Sequence, residues 1–169
     1  MIFDTIELKK INRVGVITLN RPDVLNALNE QLVWDLQEAT KNLREDDEIR
    51  VVVITGAGKG FTAGADLTES ESTWTSTKDS LLRGFLPTFE NIRQMPKPVI
   101  GSINGPAAGI GAAIAMACDL RIMSDKGYIL SVFSNIAIVP DGGLSWLLTR
   151  YMGYTKDFEY VKLQTPFNT

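Results

Sequence analysis

The chain has 169 residues, 44% of them hydrophobic and 22% charged, with a formal net charge of −3 at pH 7. That is enough apolar chain for one domain over residues 1–169 with a real core. The acidic balance gives no general affinity for nucleic acid, and no apolar run is long enough to span a bilayer. Histidine is absent and Cys118 is the single cysteine. This removes Ser-His-Asp triads, Cys-His pairs, His-ligated metal sites and an intramolecular disulfide together. Acid–base chemistry falls to carboxylates, lysine, tyrosine or backbone groups. The N-terminus, Met1 to Lys10, lacks the basic-then-apolar pattern of a signal peptide, and a cytoplasmic location is expected.

Residues 2–20 read as two strands joined at Lys10 to Arg13, with Asn12 supplying the turn. Asn20-Arg21-Pro22-Asp23 breaks that pattern. Asn29 is expected to cap a helix running to about Asp46, with Leu32, Leu36, Ala39 and Leu43 on one face. Val51 to Thr55 reads as an apolar strand buried on both faces. It enters a glycine-rich loop, Gly56 to Gly64. Residues 68–78, rich in Ser, Thr and Glu, are expected to be exposed and mobile. A helix follows with Leu81, Leu82, Phe85, Phe89 and Ile92 inward. Pro87 should kink or restart it, and Pro96 and Pro98 end it. A strand from Val99 to Ile103 then runs through a turn at Asn104-Gly105-Pro106 into an Ala-rich helix ending near Asp119. Strands near Leu120 to Met123 and Tyr128 to Val132 come next. Pro140-Asp141-Gly142-Gly143 opens a helix to about Tyr151, and a last helical segment begins near Thr155. Strands alternating with helices argue an α/β fold. Asp119 and Arg121 are expected to pair, and Cys118 reads as a small core residue.

Both glycine-rich loops follow a strand. The first is not a Walker loop, because Val53 stands where its first glycine would be. The second is not a dinucleotide fingerprint, because Ile114 stands at the third glycine position. A glycine turn opening a helix, as at Gly109 to Gly111, presents free N–H groups and the positive end of the helix dipole. That suits an anion, or an oxygen that becomes one during a reaction. The same small residues equally serve close helix packing. Asp141 also has two readings: a helix N-cap, or a carboxylate placed for proton transfer.

Four motifs occur in order between about residue 3 and about residue 165: Asn20-Arg21-Pro22 with Asn26-Ala27-Leu28; Phe61-x-Ala63-Gly64-Ala65-Asp66-Leu67; Asn104-Gly105-Pro106-Ala107-x-Gly109-x-Gly111 ending at Cys118-Asp119; and Pro140-Asp141-Gly142-Gly143. Together they resemble the crotonase superfamily, also called the enoyl-CoA hydratase/isomerase family. The resemblance implies an α/β spiral of ββα turns that binds an acyl-CoA thioester. It implies that the N–H groups of Ala65 and Ile110 hold the thioester oxygen. Leu25, Ala27, Ala63, Ala65, Asp66, Leu67 and Gly109 would contact substrate or its CoA. No metal and no separate cofactor is implied, since coenzyme A is part of the substrate, and the assembly would be a homotrimer or hexamer.

Hydratases of that family use two glutamates, where this sequence has Ala113 and the stretch Val132-Phe133-Ser134. Family isomerases place an Asp or Glu at the position of Asp141. The implied activity is therefore an enoyl-CoA isomerase that shifts a double bond by a 1,3-proton transfer through a stabilised enolate, as in the ring-forming isomerases of phenylacetate breakdown. The alternatives are a hydratase, an acyl-CoA hydrolase or dehalogenase using Asp141, and a catalytically idle acyl-CoA-binding protein. Asp66 is expected to fix its loop, Lys59 to be a solvated lysine, and Trp74 to lie over the acyl pocket. Family members continue well past this chain's last residue into helices that close the pocket and build the assembly. The resemblance thus leads us to expect exposed apolar surface and self-association.

Overall fold

A hairpin opens the chain: β1 (Ile6–Ile11) and β2 (Val14–Leu19) pair antiparallel, and Asn12 takes the turn at φ +55°, where Asn is tolerated. The computed structural model describes residues 2–69, 72–163 and 166. β2 pairs in parallel with β3 (Val51–Gly56), β3 with β4 (Val99–Ile103), and β4 with β6 (Leu120–Met123), giving the order β1-β2-β3-β4-β6. Parallel neighbours require crossovers. The first is α1 (Glu30–Glu45), capped by the Asn29 side chain, which accepts the Leu32 N–H at 3.1 Å. Lys97 closes the other end, its Nζ donating to the Leu43 and Asp46 carbonyls at 2.8 and 2.7 Å.

Burial alternates along β2, β3 and β4. Ile17 and Leu19, Val52 and Ile54, and Val99 and Ile103 point into a core shared with Leu32, Leu36 and Leu43 of α1. Val51, Val53 and Thr55 on the opposite face are only half-buried. The expectation of a strand buried on both faces is therefore corrected: the apolar run packs helices on one side.

A second, smaller layer runs beside this sheet. The short strands β5 (Pro106–Ala108) and β7 (Tyr128–Leu130) pair in parallel, and single parallel bridges join Thr62 to Ala107 and Leu28 to Ala65. After β4 and again after β6 of the first layer, the chain gives one strand to the second layer and then a helix. These helices are α4 (Ile110–Ala117) after β5 and α5 (Leu144–Met152) after β7. This is the expected ββα spiral. The sequence reading missed β5, because Asn104-Gly105-Pro106 reads as a turn continuing into the helix.

Between β3 and β4 the chain forms α2 (Thr77–Asp79), a π-helical turn (Ser80–Phe85) and α3 (Leu86–Arg93). Pro87 is the second residue of α3, directly after the π-helical turn, and has no N–H for the carbonyl one turn back. Where a kink or restart is expected at Pro87, the helix instead widens into a π-helical turn that passes without a break into α3. Leu82, expected inward, is 52% exposed, because the widened turn rotates it out of the core. Residues 72, 73 and 75 are exposed but the segment is anchored: the Glu30 carboxylate accepts the Thr73 N–H at 2.7 Å and the Ser72 hydroxyl at 3.1 Å. Ser70 and Glu71, part of the stretch expected to be mobile, lie outside the described residues.

Asp119 and Arg121 do not pair. Asp119 accepts the Val99 N–H at 2.8 Å, while Arg121 donates to the Cys118 carbonyl at 2.8 Å and lies 4.8 Å from the centre of the Tyr151 ring. Each answers a backbone group left over at a strand or helix end. Cys118 is fully buried, its thiol pushed up to about 12 by burial. The last element, α6 (Tyr154–Leu163), follows α5 across Gly153, which adopts φ +80°. No helix among the described residues is long and apolar enough to cross a membrane.

Candidate active site

The first glycine loop is held from behind by the segment Arg21 to Leu28. Asn26 is fully buried at φ +56°. Its Nδ2 donates to the carbonyls of Ala57 (2.9 Å), Gly60 (2.9 Å) and Phe61 (3.2 Å), and its Oδ1 accepts the Arg21 N–H at 2.8 Å. Thr62 ties the same loop: its hydroxyl donates to the Asn26 carbonyl at 2.7 Å and accepts the Gly64 N–H at 3.1 Å. Asn26→Ala would remove all four bonds; the Gly60 carbonyl keeps Asn104 Nδ2 at 3.2 Å, while the Phe61 carbonyl loses a buried donor worth about 1–3 kcal/mol. We expect it to lower unfolding free energy by roughly 2–4 kcal/mol, read as a fall in the denaturation midpoint. A shift within error would mean that water replaces the amide.

Leu28 bridges this loop through the Gly64 carbonyl (2.8 Å) and the Asp66 N–H (3.1 Å). In such a parallel bridge the ladder bonds belong to Leu28, so the N–H of Ala65 points away from its partner. The second loop achieves the same differently. The Gly109 N–H ends the β5–β7 ladder on the Leu130 carbonyl at 3.0 Å, and Gly109 turns the chain at φ +54° into α4. The Ile110 N–H, in the first turn of α4, then lacks an intrahelical acceptor. Among the described residues neither the Ala65 nor the Ile110 N–H has a hydrogen-bond acceptor. Gly64, at φ +96°, lets the loops meet: a Cβ there would stand 2.8 Å from the Ala108 carbonyl oxygen.

Both donors line one cavity of about 110 Å³, together with Ala63, Leu67, Gly109 and Asp141. Asp141 also lines a largely apolar groove of about 410 Å³ with Leu81, Leu82, Phe85, Leu86, Phe89 and Glu90. Gly142 sets the carboxylate there. A Cβ on Gly142 would stand 2.7 Å from the Phe89 ring and 2.9 Å from the Ala113 Cβ, so this backbone lodges between α3 and α4. Asp141 is not a helix cap: α5 begins three residues later, its N-cap is Gly143, and no side chain caps it. The Asp141 Oδ1 is buried without a hydrogen-bond partner, and burial raises the carboxyl to about 6. The arrangement offers two converging N–H donors for an oxygen that gains charge, and one desolvated base beside them.

Not every residue expected at the site lines it. Asp66 fixes the loop: it pairs with Arg21 at 2.9 Å and accepts the Thr68 hydroxyl at 2.7 Å. Its carboxyl is held below the ordinary range chiefly by Thr68, with burial opposing and Arg21 assisting. Leu25 and Ala27 brace from behind; the Leu25 carbonyl accepts the Ala63 N–H at 2.9 Å and the Ala27 carbonyl accepts the Arg21 guanidinium. Neither lines the cavity. Lys59 is exposed. Trp74, expected over the acyl pocket, lies behind the π-helical turn against Trp34 instead. Sequence reasoning missed Ile136 and Ile138, which wall the cavity; they stand in no recognisable motif.

The fold and this pair of loops define an α/β spiral built around a two-donor cavity. The profile described as enoyl-CoA hydratase/isomerase matches residues 9–168. A protein of Escherichia coli (strain K12) named 1,2-epoxyphenylacetyl-CoA isomerase is 38% identical over 144 residues, 83% of this chain and 55% of the relative. A Rhodobacter capsulatus protein named probable enoyl-CoA hydratase is 34% identical over 156 residues, 92% of this chain and 60% of the relative. The solved structure of an enoyl-CoA hydratase from Bacillus anthracis superposes with a TM-score of 0.89 at 32% identity, covering 97% of this chain and 64% of that one. This chain belongs to the enoyl-CoA hydratase/isomerase family, the crotonase superfamily, whose members act on acyl-CoA thioesters. It spans less than two thirds of the length of these relatives.

Proposed function

We propose that the protein is an enoyl-CoA isomerase. The observation that carries this reading is Asp141, which lines both the two-donor cavity and the apolar groove and whose buried Oδ1 has no hydrogen-bond partner. With a 3-enoyl-CoA bound, the Asp141 carboxylate takes a proton from C2. The electron pair moves into the thioester carbonyl, and the N–H groups of Ala65 and Ile110 stabilise the resulting dienolate oxygen. The Asp141 acid then returns the proton at C4, leaving the double bond between C2 and C3. One group that accepts and returns the same proton suffices. CoA would lie along Ala63, Ala65, Leu67 and Gly109, with Leu25, Ala27 and Asp66 holding that loop in shape.

Hydration is the second reading, favoured by the name of several relatives. Against it stands Ala113, fully buried against Gly142 where the family's hydratases carry a glutamate. The test is to incubate the protein separately with 3-enoyl-CoA and 2-enoyl-CoA and follow products by mass. Interconversion at constant mass is expected. Gain of one water would assign a hydratase, and no turnover of either would leave an acyl-CoA-binding protein.

A further inference from the structure

The π-helical turn Ser80–Phe85 has two sides with different neighbours. On one side, Gly84 is buried against α1 and Trp74. A Cβ on Gly84 would stand 2.9 Å from both Cη2 and Cζ2 of Trp74 and 3.2 Å from Cγ1 of Val33. The indole is itself backed: its ring centre lies 5.0 Å from that of Trp34 at an interplanar angle of 37°, and Arg83 lies 5.9 Å from it. Pro87 has no N–H to offer the Arg83 carbonyl one turn back. Gln37 of α1 supplies the missing donor, its Nε2 reaching the Arg83 and Gly84 carbonyls at 3.0 and 3.3 Å. The turn is thus seated on α1 by one amide and one indole.

On the other side the same turn walls the apolar groove. Leu82 and Leu86 stand two residues either side of Gly84, and residues so spaced leave a helical turn on opposite faces. They line the groove with Leu81 and Phe85, across from Asp141, Gly142 and Gly143. How far the turn sits from α1 therefore fixes how far its leucines stand from Asp141. The atoms nearest to a Cβ on Gly84 belong to the Trp74 ring and the Val33 methyl.

We propose that Trp74, acting through Gly84, sets the width of the apolar groove and so selects which acyl groups it admits. Trp74 and Gly84 are positioning residues, since neither lines the groove. The proposal rests on the acyl-CoA reading above. A methyl at Gly84 would stand 2.9 Å from the indole, which Trp34 backs; with the ring held there, the turn moves toward Asp141 and narrows the groove. Phenylalanine at position 74 lacks the two ring atoms that the methyl would strike, and restores the space.

The test is calorimetric titration with octanoyl-CoA, which needs the groove, and acetyl-CoA, which does not. Gly84→Ala should weaken octanoyl-CoA by about tenfold or more relative to acetyl-CoA, the scale of an overpacked contact. Gly84→Ala combined with Trp74→Phe should bring that ratio back to within about threefold of wild type. An unchanged ratio in folded Gly84→Ala, an equal loss for both thioesters, or no recovery in the double variant would overturn the proposal. If Gly84→Ala does not fold, Trp74→Phe alone decides: the turn relaxes toward α1 and the ratio shifts in favour of octanoyl-CoA, whereas an unmoved ratio sinks the idea. If the wild type binds neither thioester, the acyl-CoA reading fails by itself. The groove is then read with the apolar dye 1-anilinonaphthalene-8-sulfonate, whose binding must fall in Gly84→Ala and recover in the double variant for the width gauge to stand.

Discussion

Asp141→Asn is expected to leave the fold and thioester binding nearly intact while double-bond shift falls by at least about a hundredfold, the low end for losing a general acid–base group. The substitution keeps the shape of a side chain that makes no hydrogen bond through its buried oxygen and caps no helix. It removes only the ability to take the proton. The wild-type carboxyl is raised to about 6 by burial, so activity should climb with pH and reach half its maximum near 6, as the base form appears. Stability gives a second readout with the opposite sign. A carboxyl whose folded-state value is raised carries no penalty below its ordinary 3.8, acquires it between about 4 and 6, and keeps it above. Asp141→Asn should therefore match wild type at low pH and exceed it at pH 7, by on the order of 1 kcal/mol once solvent screening is allowed for. A variant that shifts the double bond at near wild-type rate would remove the main support for the isomerase.

Ala65→Pro should cost about a hundred- to a thousandfold in turnover, the effect of deleting one oxyanion donor in other enzymes, or roughly 3–4 kcal/mol. The change is aimed at one atom. The ladder bonds of this segment use the Gly64 carbonyl and the Asp66 N–H, both retained, while the Ala65 N–H has no acceptor among the described residues. Ala65→Ser keeps the N–H and should be far milder. Full activity in a Pro variant that circular dichroism shows to be folded would mean that this donor is not used.

Much of this was legible in the chain because short local signals carry it. Asn29 caps α1 because a side-chain acceptor three residues ahead of an N–H is a local geometry. The glycine loops read as donor sites because a glycine turn into a helix frees N–H groups whatever surrounds it. What could not be read depends on partners distant in sequence. The π-helical turn arises where Pro87, Gly84, Gln37 and Trp74 meet, and no periodicity within residues 80–93 encodes that meeting. Helical spacing accordingly turns Leu82 inward, and the polar loop of residues 68–78 places Trp74 over the pocket. Asp119 and Arg121 read as a pair from proximity alone, yet each is claimed by a closer backbone group. The Asp141 motif was legible as a helix opening; that the carboxylate stands three residues ahead of the helix, unpaired, follows from two successive positive-φ glycines.

The lodging of Gly142 between Phe89 and Ala113 makes the chemistry of this scaffold modular in one place and locked in another. Position 141 is held by its neighbour's backbone, not by its own side chain, so a different functional group can be exchanged there without renegotiating the fold. Position 113 has no such freedom. Its Cβ already faces the space beside Gly142, so a longer acid there competes for that space with the peptide that presents Asp141. Gly142 is already the smallest residue, so a second carboxylate at 113 has to come with a shift of that backbone and not with a substitution at 142.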